Sequence, residues 1–214
     1  LLGAALLLGT ASFAQTMVST TPQNKKVVLE EFTGIHCVWC PDGHVIANAM
    51  KNANPDNVFL VNIHSGGFAA PGPNQPDYRT TYGEGIRAHF GANSFPTGMV
   101  NRKPYVDPET PNAPATILLN RGDWQGAANE ILQQASYVNI ATSAILHAST
   151  RELELNVEVY YTGNSPQATN KLNVALLQDN TRGPQTGGGM GNNYNHMHRL
   201  VDFLTGQWGV DIND

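Results

Sequence analysis

Long apolar runs, basic charge and cysteine are all scarce in this sequence, and each shortage excludes something. After the first residues nothing approaches the roughly 20 consecutive apolar residues that a membrane-spanning helix needs, so no transmembrane segment is expected in the mature chain. Lysine and arginine number 12 against 17 acids in 214 residues, for a formal net charge of -5. Without a basic face to meet phosphate backbones, no nucleic-acid partner is expected. Only two cysteines occur, Cys37 and Cys40. Neither lies at a leader cleavage point, which excludes lipid anchoring there. What is present is a 41% hydrophobic content, enough for a packed core in one large domain or two small ones.

The chain opens on a short apolar run, Leu1 to Leu8, and Ser12-Phe13-Ala14 before Gln15 has the small-x-small pattern of a signal-peptidase site. Residues 1–14 therefore read as a partial signal peptide and 15–25 as a polar linker, and the protein is expected to be exported. A buried N-terminal helix is the alternative, and the polar stretch from Gln15 to Lys26 counts against it. The absence of an initial Met or basic n-region, and an end at Asp214 inside a structured-looking segment, lead us to expect a fragment.

Lys26 to Phe32 is a strand-like run, followed by a short turn, Thr33 to His36, and a helix opened by the cysteines, with Pro41 suited to its first turn. Val45, Ile46, Ala49 and Met50 recur at helical spacing, Asn54-Pro55-Asp56 ends the helix, and Val58 to Ile63 reads as a buried strand. Strand, helix, strand is the signature of a parallel sheet, so the class is α/β. Tyr78 to Phe90 and Asp123 to Ser136 can form further helices, and Gly98 to Arg102 a further strand. These limits place the first domain at 26–136. From Val138 the runs alternate, Val138 to Ala148, Leu153 to Tyr161 and Leu172 to Leu177, and residues 138–214 read as an antiparallel β-sandwich incomplete at the C-terminus.

Cys37-Val38-Trp39-Cys40 has a spacing with a mechanism. Unpaired N–H groups and the positive dipole end at a helix N-terminus stabilise a thiolate, so the first cysteine becomes a nucleophile and the second resolves the mixed disulfide. Cys37 is then expected at the helix cap as the more exposed thiol, with Cys40 shielded one turn further in. A purely structural disulfide is the competing reading, although closing a four-residue loop contributes only about 2 kcal/mol. A zinc or copper site built from His36, Cys37, Cys40 and His44 is a third. Covalent haem attachment fails because Pro41 occupies the position that needs histidine. His196 and His198 around Met197 offer a weaker soft-metal pattern. No cofactor and no metal are expected.

The stretch from Val27 to Pro41 resembles the active-site region of thioredoxin-like proteins, and Phe95-Pro96-Thr97 resembles the cis-proline loop that faces the cysteines in that fold. More closely, Glu30-Glu31-Phe32-Thr33-Gly34, Cys37-x-x-Cys40-Pro41, Gly43-His44 and Tyr194-Asn195-His196-Met197-His198-Arg199 resemble the outer membrane protein 28-like family, exported by Gram-negative bacteria. The resemblance implies a thioredoxin-like domain followed by a β-sandwich, in the periplasm or on the outer-membrane surface. It also implies that Glu31, six residues before Cys37, is a buried acid relaying a proton to Cys40, and that Phe95, Pro96 and Thr97 bind substrate; Trp39, beside the cysteines, suits either an aromatic platform for a substrate peptide or a binding anchor. Glu30 and Glu31 lie on opposite faces of the strand, so one of them is expected to point inward. Two functions stay open. One is a thiol–disulfide oxidoreductase acting on protein thiols or disulfides. The other is a binding module in which the sandwich and the Gly-rich loop from Gly183 to Asn193 engage a surface protein or glycan.

Overall fold

The computed structural model describes residues 17–212, and the leader read at residues 1–14 lies outside them. Two compact units emerge, one of residues 24–134 and 167–212, the other of residues 17–23 and 135–166.

The larger unit is a mixed α/β layer structure. Its elements begin with β1 (Val27–Thr33), α1 (Cys40–Ala53), β2 (Val58–His64), α2 (Gly66–Ala69), α3 (Thr81–Phe90), β3 (Thr97–Val100), β4 (Leu119–Asn120) and α4 (Trp124–Leu132). After the other unit's hairpin, β5 (Val138–His147) and β6 (Glu152–Tyr161), come β7 (Asn170–Leu172), β8 (Ala175–Gln178), β9 (Thr181–Gly183), β10 (Tyr194–His196), β11 (Arg199–Phe203) and β12 (Val210–Ile212). Six strands form one sheet in the order β4-β3-β1-β2-β11-β8. β1 and β2 run parallel, paired from Val27↔Val58 to Thr33↔His64, as the intervening helix requires. β3 is antiparallel to β1, with Glu31 opposite Gly98.

Every residue of β1 but Val28 is buried, because both faces of the sheet are covered. Val27 and Leu29 pack with Met50 of α1 and Trp124 and Ile131 of α4, while Phe32 packs with Ile86 of α3, Met99 and Leu200. Strand alternation therefore assigns odd positions of β1 to the α1 face and even positions to the α3 face. Glu30 and Glu31 are both buried, at 5% and 0% exposure, so neither of the two faces solvent. No helix among the described residues is long and apolar enough to cross a membrane.

In the smaller unit, β5 and β6 form an antiparallel hairpin in register from Val138↔Tyr161 to His147↔Glu152. Glu158 accepts hydrogen bonds from the backbone N–H of Met17 and of Val18, and the Asn139 amide donates to the carbonyls of Ser19 and Thr21.

The sandwich expected from Val138 onward is not the arrangement found among the described residues. β8 and β11 join the large sheet, while β7–β12 and β9–β10 make small two-stranded sheets. The cause is burial: Leu200 and Phe203 of β11 fill the core beside Phe32 and Ile63. Alternation marks a strand but is silent about which sheet it completes.

Candidate functional site

The site is built where β1 runs into α1. Cys37 and Cys40 are joined in a disulfide. α1 begins at Cys40, with Trp39 as its N-cap and Pro41 in its first turn, so Cys37 sits in the turn before the helix, its N–H donating to the Gly34 carbonyl at 3.0 Å. This corrects the expected placement of Cys37 at the cap. Proline at the first positions fixes the helical backbone there and needs no N–H partner, which sets the start three residues past Cys37. The exposure of Cys37 differs as well: it is 2% exposed and Cys40 is 0%, so both sulfur-bearing residues are shielded.

The cover comes from the segment between β9 and β10. The Gln185 side chain donates to the carbonyls of Gly34 and Cys37 at 3.1 and 2.9 Å, and the Thr186 N–H donates to Ile35 O at 2.7 Å. Gly187 then takes φ 82° directly against the Val38 carbonyl, where a Cβ would collide, and Gly188 lies against Pro41. Positive φ and absence of a side chain are both needed at Gly187. The Gly-rich loop thus straps the C-x-x-C turn.

Beneath the helix lies Glu31. A Cβ on Gly43 would sit 2.8 Å from Glu31 Oε1 and 3.0 Å from Pro96 Cγ, so carboxyl and proline meet the inner face of the first turn. Gly43 is three residues past Cys40 and shares its face of the helix. The Phe95–Pro96 peptide bond is cis. Pro96 and Thr97 are buried, the Thr97 hydroxyl donating to Leu119 O at 3.0 Å. Phe95 is half-buried against Phe68. Trp39 is 62% exposed, beneath the Arg121 guanidinium.

A group of buried polar side chains continues from Glu31. Neither oxygen of its carboxyl has a hydrogen-bond partner, and burial raises its pKa well above the ordinary value. His44 of α1 brings Nε2 to 3.6 Å from Glu31 Oε1 and 3.0 Å from the Thr33 hydroxyl, while its Nδ1 meets the Tyr194 hydroxyl at 2.6 Å. Burial, helped by His196 and His198, lowers the His44 pKa to about 3. With an uncharged His44 the 3.6 Å contact is not an ion pair at neutral pH. Burial, with Glu31 nearby, pushes the Tyr194 hydroxyl up to about 12. The His196 ring lies 5.0 Å from that of Tyr194 and 5.1 Å from that of His64, and burial lowers both histidines.

The four-donor metal alternative is not assembled. Both sulfurs are bonded to one another, and both nitrogens of His44 are hydrogen-bonded within the protein. His198 faces Asp179 at 3.2 Å, and no group of three or more potential donors converges among the described residues. Sequence reasoning missed Gln185 and Thr186 as cover and the hydrogen-bonded pair His44 and Tyr194 near Glu31. The only signal for the last pair was that both fall in motifs shared with the outer membrane protein 28-like family.

Residues 84–213, well over half of the chain, match the family described as outer membrane protein Omp28. Among curated proteins none matches. Among solved structures, HBP35 of Porphyromonas gingivalis is 18% identical with a TM-score of 0.62, over 89% of this chain and 60% of that one. A protein of Agrobacterium tumefaciens known from an X-ray crystal structure is 16% identical with a TM-score of 0.47, over 89% of this chain and 77% of that one. The chain thus spans well under two thirds of the length of HBP35, with which it shares a fold.

Proposed function

The chain belongs to the outer membrane protein Omp28 family, and we propose that it is a thiol–disulfide oxidoreductase of the cell envelope, built on a thioredoxin-like domain, that exchanges electrons with protein thiols or disulfides. One observation carries this reading: a Cys37–Cys40 disulfide at the start of α1 with the unpartnered Glu31 carboxyl against the same helix face. A partner thiolate attacks Cys37 Sγ, the intramolecular S–S bond breaks, and Cys40 leaves as a thiolate that takes the Glu31 proton. A second partner thiol displaces Cys37 and carries away the new disulfide, so two electrons pass to the protein. In the reverse direction Cys37 attacks, Glu31 accepts the Cys40 proton and Cys40 resolves. No cofactor is needed, because the partner supplies or takes the electrons. Trp39, exposed, and Phe95, half-buried, give the partner chain an apolar platform, with the buried Pro96 and Thr97 following Phe95 in sequence.

With Cys37 only 2% exposed, a partner sulfur reaches it when the Gln185–Gly188 strap yields. The same burial favours a second reading, a binding module whose surface is Val38 and Trp39, 56% and 62% exposed, with the Gly183–Asn193 loop, for a protein or glycan partner at the periplasm or cell surface. Reduction of a generic disulfide substrate separates the two. The oxidoreductase turns over, Cys37→Ser abolishes turnover, and Cys40→Ser accumulates a mixed disulfide with the substrate. Equal inactivity of wild type and both variants leaves the binding module.

A further inference from the structure

Glu31 has a problem that the cysteine chemistry creates. Each opening and closing of the disulfide takes a proton from this carboxyl or returns one, yet Glu31 is 0% exposed and neither oxygen has a hydrogen-bond partner. We propose that His44 and Tyr194 carry protons between water and the Glu31 carboxyl, as positioning residues of the oxidoreductase on whose reading this inference rests.

The geometry is a chain of three groups from three separate elements. Glu31 comes from β1, His44 from α1 and Tyr194 from β10. The two ring nitrogens of His44 face opposite ends of the path, Nε2 toward Glu31 at 3.6 Å and Nδ1 toward the Tyr194 hydroxyl at 2.6 Å. Nε2 is itself hydrogen-bonded to the Thr33 hydroxyl at 3.0 Å, so it serves Glu31 when it exchanges that contact for the carboxyl. Closing 3.6 Å to a hydrogen bond of about 3 Å needs only a small rotation of an otherwise unheld carboxyl. Tyr194, in contrast to Glu31, is half-buried.

The protons balance as follows. When the Cys40 thiolate takes the Glu31 proton, the carboxylate draws the Nε2 proton of His44, Nδ1 takes the Tyr194 hydroxyl proton, and the Tyr194 oxygen takes one from water. Net, one proton enters and His44 has changed tautomer. The reverse sequence releases one. A ring that stays neutral suits this role because it passes a proton without holding a charge in the interior. Titratable and charged groups around the path include Tyr194, His64, His196, Arg199 and His198 with its partner Asp179, and burial lowers each of these three histidines as well.

The test reads the carboxyl itself. In D₂O the buried Glu31 carboxyl band, identified by its loss in Glu31→Gln, is followed by infrared spectroscopy as hydrogen is replaced by deuterium. His44→Gln, which keeps hydrogen-bonding atoms but cannot switch tautomer, is expected to slow that exchange at least about tenfold, and Tyr194→Phe likewise. The same variants should slow reduction of the oxidised protein by dithiothreitol. Exchange at the wild-type rate in both variants overturns the relay, even where turnover falls. If His44→Gln fails to fold, Tyr194→Phe, which removes a single oxygen, decides alone. A wild type that exchanges its carboxyl proton through this path yet shows no disulfide exchange keeps the relay and defeats the oxidoreductase reading.

Discussion

On the α3 face of β1, Glu30 accepts two hydrogen bonds of 2.6 Å from the Arg102 guanidinium, whereas on the α1 face the next residue, Glu31, has no bonded partner at all. Both are buried. Arg102 in turn stacks near Trp208 and Phe90, so the α3 side compensates its acid with a fixed cation. The α1 side offers only His44, which burial keeps neutral. A compensated buried carboxylate holds structure together. An uncompensated one is pushed toward its protonated form, which is what the proposed exchange requires of Glu31. Two identical side chains, one position apart, are thus given opposite surroundings by strand alternation.

The sharpest way to break that contrast is to neutralise each acid in turn. Glu31→Gln should slow disulfide exchange by about 10² to 10⁴, the range of a positioned acid–base group, while leaving the folded state intact. Glu30→Gln should leave the exchange rate within about twofold, a change of under about 0.5 kcal/mol, and instead destabilise the protein by roughly 1 to 3 kcal/mol. That is less than for a fully buried pair, because the Arg102 side chain is 27% exposed and can rehydrate. Stopped-flow reduction and denaturant unfolding measure both. Equal rate losses in the two variants would erase the distinction between the faces.

A second, smaller effect appears in the dependence of stability on pH. Glu31, raised in the folded state, binds a proton there that the unfolded chain has lost, so its contribution falls by up to about 1.4 kcal/mol per pH unit from about 4.5 up to its raised value. His44 acts in the opposite direction: lowered to about 3, it makes stability rise with pH between about 3 and 6.5, and His64, His196 and His198, which are lowered too, act with the same sign. Glu31→Gln should therefore steepen the rise of stability with pH above about 4.5, where the loss due to Glu31 opposes the gain due to the histidines. Chemical unfolding from pH 4 to 9 measures this, and superimposable profiles for variant and wild type would contradict a protonated Glu31.

The unit that holds the site was largely legible, because its signals are local. The strand-like run Val27–Phe32, Pro41 in the first helical turn and the buried run of β2 are each contiguous and strongly patterned. The membership of β11 was not, since it lies beside β2 by pairing Arg199 with Asn62, and alternation does not encode that choice. Likewise His44 and Tyr194 are 150 residues apart, and nothing short of the fold brings them together. The shielding of Cys37 was hidden for the same reason. It depends on a backbone at Gly187 that only a glycine adopts, pressed on a turn far away in sequence.

The smallest expected effect concerns the platform on the α1 side. Trp39 is 62% exposed, sits between the two cysteines and has its ring 5.6 Å from the Arg121 guanidinium, which also reaches Asp42 in the first turn of α1. An exposed ring of this kind contributes little to folding, since most of its surface stays in water with or without the fold. On the function proposed above, it contributes through contact with a partner chain, where burying an aromatic side chain supports about 1 to 2 kcal/mol of binding. Trp39→Ala should therefore change the unfolding free energy by less than about 0.5 kcal/mol and raise KM for a protein disulfide by roughly 5- to 30-fold. It should leave the rate with dithiothreitol unchanged, because so small a thiol needs no platform. That split separates Trp39 from Glu31, whose loss slows the reaction with either partner. A Trp39→Ala variant equally impaired toward dithiothreitol and a protein substrate would mean that the ring supports the C-x-x-C turn itself and not the docking of a partner.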